Sequence, residues 1–349
     1  MTTVQPVRWR VAPLTQLERF EETWRQLHAC AWASPVLAWD FVAALVKGFA
    51  RGDELLAVGT RRERPVAMGI LQRSSRVGWS TFQPAQAPIG AWLHDPEADL
   101  EDLLHALLRA LPVPALVLGI TQQDPLRAPP PAAQGCLATL NYIETGSVLV
   151  NRSYDIYWNE RERKLRYEVR RRLARLAEQG LQPVLEKITR PEAVAAQVED
   201  FGALESAGWK AAGGTAVHAG NAQGAFYRDL LTRFCGAGRG RIYRYQAGER
   251  LLAMQLCIEH GGTLAFLKTT YDERLRACAP GVLMKAEIFR DLFEDSGIAR
   301  IEFYGSLKEW QLKWIDARRT QYHLNAYRSR LLRAAHAFAV RRRAGVAAD

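Results

Sequence analysis

Apolar positions in the first half of the chain recur with the period of a helix and of a strand in turn. Phe20, Trp24 and Leu27 are four and three residues apart, the spacing that buries one face of a helix. Short apolar runs bounded by polar turns predict strands. The predicted elements are a strand over 7–11, a helix over 14–30, a hairpin of 54–58 and 65–72, a helix over 99–111 and a strand over 115–120.

The second half repeats this order over a longer stretch. Gly180 marks the end of a long helix, and turns at 247–248 and 261–262 separate three strands. The predicted elements are a strand over 148–150, helices over 153–180, 192–207 and 224–234, strands over 241–246, 251–259 and 263–270, a helix from Pro280, a strand over 299–304 and a basic helix at the end.

The two halves predict an α/β (α+β) protein with two similar domains, each a mixed central sheet flanked by helices. A chain of 349 residues is long for one core and suits two domains of roughly 150 residues. Four prolines over 125–135 indicate a linker. We therefore expect domains over 1–145 and 146–325, related by duplication, and a basic helix or tail over 326–349.

Composition indicates a packed protein with reduced thiols. Hydrophobic residues make up 48% of the chain, enough for two cores, and the five cysteines are scattered. Because no CxxC pair or histidine cluster is present, we expect neither a disulfide framework nor a metal site. No segment fits a signal peptide or a membrane span, so we expect a cytoplasmic protein.

The net charge of +10 is concentrated in two basic blocks, over 161–175 and 328–343. Such surfaces favour anionic partners. For the first block, a solvated helix face competes with a docking surface for an acidic carrier protein or tRNA. For the second, packing on the domain competes with peripheral contact to anionic lipid. The apolar face predicted for this last helix consists of Leu324, Tyr327, Leu331, Ala335 and Phe338.

The helix start at Pro280, just after the strand that ends near Thr270, is the sharpest candidate binding site. Proline suits the first helical position, because an N–H there would lack a partner, and glycine lets a ligand approach the backbone. The N–H groups of Gly281, Val282 and Leu283 are expected to face outward at the positive end of the helix dipole, which favours phosphate. An ordinary helix start is the alternative.

Four motifs follow one another between residues 150 and 320. They are the basic helix over 163–180, the Gly- and Trp-containing stretch over 206–216, the segment over 271–281 and the stretch over 301–314. Together they resemble the GNAT-fold acyltransferases related to the Fem-type peptidyltransferases, including members associated with cellulose and exopolysaccharide synthesis. The first half is similar to this family only in its layout.

The resemblance implies an acyl donor bound over the helix that begins at Pro280. Ordinary GNAT enzymes have a turn richer in glycine that holds coenzyme A, whereas this chain has Gly281 alone. The donor therefore stays open between acyl-CoA, an acyl carrier protein and aminoacyl-tRNA, and tRNA is the least expected because no helical-hairpin arm is evident. Where the family has lysine, this chain has Gln311, which we still assign to the substrate site.

The resemblance also implies direct attack of a neutral amine on the acyl donor. The protein then has to help deprotonate the amine and stabilise the oxyanion. For each assigned residue a structural role is the alternative. The assignments are Glu259 and Glu302 as bases, Tyr271 as proton donor to the leaving thiolate, Asp272 as the group that orients it, Lys268 at the donor phosphates or the substrate, and Trp209 and Lys210 at an acceptor lid.

These observations lead to an N-acyltransferase hypothesis in which the second domain is active and the first is supporting. Cell-envelope or exopolysaccharide metabolism is the setting that the family implies. One alternative is a Fem-like transferase that uses aminoacyl-tRNA. Another is an inactive GNAT pair that serves as a binding subunit, favoured by the single glycine at the turn and by Gln311.

Overall fold

The computed structural model divides the chain into two compact units. The residues described are 5–31, 33–132, 134–207, 217 and 220–346. The first unit contains 5–42, 50–144 and 319–346, and the second contains 43–49 and 145–318. The end of the chain thus returns to the first unit, whereas the sequence analysis assigned residues up to 325 to the second domain.

The first half contains the predicted strands and helices in the predicted order, with further elements between them. They are β1 (Arg8–Pro13), α1 (Glu21–Ala31), α2 (Trp39–Phe49), β2 (Leu55–Arg61), β3 (Arg64–Arg73), β4 (Gly78–Thr81), β5 (Trp92–His94), α3 (Leu100–Ala110), β6 (Val117–Gln123) and β7 (Leu137–Leu149). The helix α2, a mostly apolar segment with Asp40 in its first turn and Lys47 in its last, is not among the predicted elements.

The second half continues with further helices and a strand meander. The elements are α4 (Tyr154–Glu160), α5 (Arg163–Glu178), β8 (Val184–Ile188), α6 (Val194–Ser206), α7 (Ala222–Gly236), β9 (Gly240–Ala247), β10 (Arg250–His260), β11 (Thr263–Tyr271), α8 (Pro280–Glu294), β12 (Arg300–Phe303), α9 (Glu309–Leu312), β13 (Ala317–Tyr327) and α10 (Arg330–Val346).

Two predicted helices are wrong in their extent. The single helix over 153–180 is two helices, because Arg161 and Glu162 have extended backbone angles between α4 and α5. Residues Leu324 and Tyr327 lie in β13 and not in the terminal helix. Of the apolar face predicted for that helix, Leu331 and Phe338 do lie in α10, where both are exposed.

The sheet of the first unit has the strand order β1-β2-β3-β4-β6-β13-β7, and β5 pairs with β3. The parallel strands β4 and β6 are connected through α3. Leucines four residues apart on α3, Leu103 and Leu107, are fully buried and share a core with Trp79 and Trp92.

In the second unit the end of β7 pairs with β12, and the order continues β11-β10-β9-β8. Strands β11 and β12 are parallel, and α8 connects them. Ile288, Phe289 and Leu292 of α8 are fully buried in the core of this unit. The mixed sheets and flanking helices confirm the predicted fold class.

Two classes of feature are not seen in the described residues. None of the helices there has both the length and the apolar character that crossing a bilayer requires. Histidine, cysteine, aspartate and glutamate side chains do not come together there in threes that would hold a metal ion.

Candidate active site

The parallel strands β11 and β12 form a wedge. Their pairing covers Thr263–Ala265 and Arg300–Glu302. Beyond these residues β12 ends at Phe303, whereas β11 continues to Tyr271. The second half of β11 therefore pairs with β10 but not with β12, and its free edge borders an opening in the sheet.

A β-bulge in β11 determines which side chains face this opening. Phe266 pairs with Cys257 and Lys268 pairs with Leu256, so Leu267 is the extra residue. A bulge bends its strand and shifts the alternation of side chains by one position. The side chains of Thr269 and Tyr271 consequently share the face of Phe266.

A cleft of about 460 Å³ lies at the mouth of the wedge. Its walls come from α5, the end of β11, the first turns of α8 and the segment around α9. Residues that line it include Glu168, Arg172, Tyr271, Gly281, Lys285 and Lys313. Its volume is in the range of small-molecule sites.

The start of α8 forms one end of this cleft. Ala279 adopts the left-handed conformation (φ 45°, ψ 61°), Pro280 follows it, and among the described residues no side chain caps the helix. The N–H groups of Val282 and Leu283 donate to the carbonyl of Ala279 at 2.9 and 3.4 Å, so they are not free as predicted. The array of free amides is shorter than expected, while the positive end of the helix dipole still faces the cleft.

The start of α3 in the first unit differs from the start of α8 in its capping and in its charge. Its first turn is capped by Asp99, whose Oδ1 accepts a hydrogen bond from the N–H of Asp102 at 2.9 Å. Glu101 and Asp102 add negative charge to that turn. A phosphate would meet repulsion there, whereas the first turn of α8 has no acidic residue.

Cations outnumber carboxylates around the cleft. Arg172, Arg276, Lys285 and Lys313 line it, and Glu168 is the one carboxylate among its described lining residues. The Glu168 carboxylate lies 3.7 Å from the Arg172 guanidinium and 3.8 Å from the Lys313 ammonium. The cleft therefore favours an anionic ligand.

Lys285 was not singled out by the sequence analysis. It is 2% exposed, and its Nζ lies 4.8 Å from the ring centroids of Phe266 and Trp310 and 5.4 Å from that of Phe303. Burial lowers the pKa of this ammonium to about 8, against a weaker opposing effect of Cys257. Spacing could have revealed it, because residue 285 precedes the buried residues 289 and 292 by four and seven positions.

Of the predicted donor-site residues, the structure brings two to the cleft, Gly281 and Val282, and it also brings Tyr271, the predicted proton donor. Leu283 and Pro280 are buried in the unit instead. Thr270 is 5% exposed and lies on the face of β11 opposite to Thr269, which lines the cleft.

Lys268 also points away from the cleft. Its Nζ donates to Glu205 Oε2 at 2.8 Å and to Gln223 Oε1 at 3.4 Å.

Trp209 and Lys210 were predicted to form an acceptor lid, and they lie outside the described residues.

Asp272 has a capping role at the end of β11. Its Oδ1 accepts from the N–H of Arg274 at 3.0 Å, and its carboxylate also binds the side chains of Arg274 and Arg250. Burial alone would raise the pKa of this carboxyl, but the hydrogen bonds from both arginines outweigh it and lower the pKa to about 2. No hydrogen bond joins it to Tyr271 in the described structure.

Neither predicted base lines the cleft. Glu302 is 1% exposed and alternates with Ile301 and Phe303, which face the core under α8. Glu259 Oε1 accepts from the N–H of Gly262 at 3.0 Å in the turn at the other end of β11.

Gln311, assigned to the substrate site, caps α9, because its Oε1 accepts from the N–H of Lys308 at 2.7 Å. It lies beside Trp310 and Lys313, which line the cleft.

Comparison with known proteins agrees with this architecture. A family model described as an acetyltransferase (GNAT) domain matches residues 163–312, which run from the start of α5 to the end of α9. The match therefore includes the wedge and the helix α8. No curated protein sequence matches the chain.

Solved structures with a similar fold cover most of the chain. FemX has a TM-score of 0.55 at 10% identity, with 88% of this chain and 96% of that chain covered. L-PGS from Bacillus licheniformis has a TM-score of 0.52 at 12% identity, with 92% and 96% covered. A tandem GNAT protein from the clavulanic acid biosynthesis pathway has a TM-score of 0.50 at 13% identity, with 92% and 99% covered. The chain thus has a GNAT fold.

Proposed function

We propose that the second unit transfers an acyl group from a phosphopantetheine thioester to an amine. The donor is acyl-CoA or an acyl carrier protein, and the first unit has a supporting role. The resemblance of the motifs over 163–314 suggests a setting in envelope or exopolysaccharide metabolism, with the cytoplasm as the expected compartment.

One observation carries this proposal, namely a wedge between parallel strands that opens onto a helix start that no described side chain caps. The wedge can hold an extended chain, such as phosphopantetheine, along the free edge of β11. The phosphates at the end of that chain would then meet the positive end of the α8 dipole, with Arg276 and Lys313 nearby. In the first unit, by contrast, Asp99 occupies the start of α3.

The chemistry requires no covalent intermediate. The amine nitrogen bonds to the thioester carbonyl carbon, the C–S bond breaks, the nitrogen releases a proton to solvent, and the leaving thiolate takes up a proton. We assign this proton to Tyr271, because it lines the cleft and its ring lies 3.6 Å from a Cβ built at Gly281. Acceptor binding by Trp209 and Lys210 stays a prediction.

A pair of substitutions at Gly281 tests the donor site. A Cβ at this position meets Tyr271 at an ordinary contact distance, so Gly281→Ala should fold and bind like the wild type. Gly281→Trp should fill the cleft and abolish binding of acetyl-CoA. In the wild type, acetyl-CoA at about a hundred times its Kd should stabilise the protein by about 2.7 kcal/mol. Thermal denaturation with and without acetyl-CoA measures the stability of each variant and its binding of the donor. Equal stabilisation of all three proteins would place the donor elsewhere.

A second candidate is transfer from aminoacyl-tRNA. The observation that favours it is the basic face of α5, where five cations are exposed to solvent. They are Arg163, Lys164, Arg170, Arg171 and Arg175. Charged tRNA in the same denaturation assay separates the two candidates. Transfer from aminoacyl-tRNA is supported if charged tRNA stabilises the protein, acetyl-CoA does not, and the stabilisation is lost as the salt concentration is raised.

A further inference from the structure

Lys285 is a buried cation that faces the cleft, and the described residues provide it with no counter-ion. In the described part of the chain no carboxylate lies within ion-pair distance of its Nζ, which is surrounded by the rings of Phe266, Phe303 and Trp310. Aromatic faces stabilise a cation only partly. Burial of an unpaired charge is unfavourable, so a group that supplies the opposite charge should bind there strongly.

The neighbouring titratable groups do not supply that charge. Glu168 of α5 is already shared by Arg172 and Lys313, which are themselves cations. Cys257 of β10 interacts with Lys285, but burial raises the pKa of this thiol and keeps it protonated. The counter-ion therefore has to come from a ligand in the cleft.

The position of Lys285 indicates which part of a ligand it meets. Phe266 and Phe303 directly follow the last paired residues of β11 and β12, so the ammonium lies where the wedge is narrowest. Tyr271, at the mouth, is five residues further along β11 than Phe266, an advance of about 16 Å, and Gly281 lies one turn of α8 before Lys285. A donor with its phosphates at the mouth directs its acyl end towards Lys285.

We propose that the acyl group carries a carboxylate that pairs with Lys285, so that the donor is the thioester of a dicarboxylic acid. This inference rests on the proposed function and specifies its substrate class. The transfer itself is unchanged, since the amine bonds to the thioester carbon, the thiol leaves, and the distal carboxylate is retained in the product. A desolvated carboxylate–ammonium pair is a strong, charge-assisted contact.

Succinyl-CoA and butyryl-CoA test the proposal, because both acyl chains have four carbons and one has the terminal carboxylate. Isothermal titration calorimetry on the full chain at pH 7 should give a Kd for succinyl-CoA at least about tenfold lower. In Lys285→Met, and in Lys285→Gln as a second variant, the ratio should fall to roughly threefold or less. In the control Lys313→Met, at the rim, both affinities should weaken together and the ratio should persist.

The possible failures are distinguishable. Equal affinity of the wild type for the two esters overturns this inference and leaves the proposed function standing, as does a preference that persists in both Lys285 variants. If the folded wild type binds neither ester nor free CoA, acyl-CoA is excluded as the donor and the inference fails with it, while an acyl carrier protein stays as the proposed donor. The comparison of the two esters on the wild type needs no variant to fold.

Discussion

Lys285 should affect stability as well as the proposed binding of a donor. The folded protein holds the proton of this buried ammonium less tightly than the unfolded chain does, because burial lowers its pKa from 10.5 to about 8. The folded state is therefore destabilised below pH 8, where the lysine is charged in both states. As the pH rises from 8 to 10.5 this destabilisation disappears.

Lys285→Met should consequently stabilise the apoprotein. The difference between the two pKa values corresponds to about 3 kcal/mol, which we expect as the upper limit of the gain in unfolding free energy at pH 7. The gain should decline between pH 8 and 10.5. Denaturant titrations at pH 7 and pH 10 measure this gain in unfolding free energy. The control is Lys313→Met at a more exposed position, whose unfolding free energy should stay within about 0.5 kcal/mol of wild type. A loss of stability in Lys285→Met at pH 7 would mean that the charge has a partner.

At the scale of elements, the segment around α9 is held against α4 by buried polar contacts. The Arg161 guanidinium donates to the carbonyls of Trp314 and Ile315 at 3.2 and 3.0 Å and pairs with Asp316 at 2.8 Å. Tyr157 donates its hydroxyl proton to the carbonyl of Trp314 at 2.7 Å. The extended backbone at Arg161, which divides the predicted helix in two, thus positions one wall of the cleft.

Arg161→Met should therefore destabilise the protein and weaken donor binding together. The pair is partly exposed, so loss of the arginine should cost less than the roughly 3 kcal/mol typical of a fully buried pair, and Arg152, 2.7 Å from Asp316, moderates the loss. Urea denaturation and acetyl-CoA titration measure the two effects. Arg163→Met, two residues further on at an exposed position, is the matched control and should change stability by at most about 0.5 kcal/mol. An Arg161→Met protein as stable as this control contradicts the argument.

At the scale of the whole chain, the last strand completes the first unit. In β13, Tyr322, Leu324 and Ala326 are buried in the core of that unit. The same strand pairs with β6, where Leu324 lies opposite Ile120. The stability of a unit formed near the start of the chain therefore depends on residues close to its end.

A chain that ends after Arg318 should lose the cooperative folding of the first unit. Hydrogen exchange followed by mass spectrometry should show loss of protection in β6 and retained protection in β9–β11. A chain that ends after Ser329 keeps β13 and lacks α10, so it should retain protection in β6. Full protection of β6 in the shorter chain would show that β13 is dispensable.

Much of the fold could be predicted from local patterns, and less of the site. The spacing of Leu103 and Leu107 predicts α3, and Pro280-Gly281 predicts the start of α8, because periodicity and proline act within a few residues. The same local reasoning placed Glu259, Lys268 and Glu302 at a site that they do not line. A strand pattern shows that faces alternate but not which face meets the cleft.

Residue order along the chain was enough to predict many of the elements and the helix start that faces the cleft. Tertiary structure alone decided that the bulge at Leu267 turns Tyr271 towards the cleft and Lys268 away from it. It also decided that Lys285 is buried among aromatic rings and that β13 belongs to the first unit. These outcomes depend on contacts between segments far apart in sequence, whereas hydrophobic periodicity reports only on neighbours a few residues away.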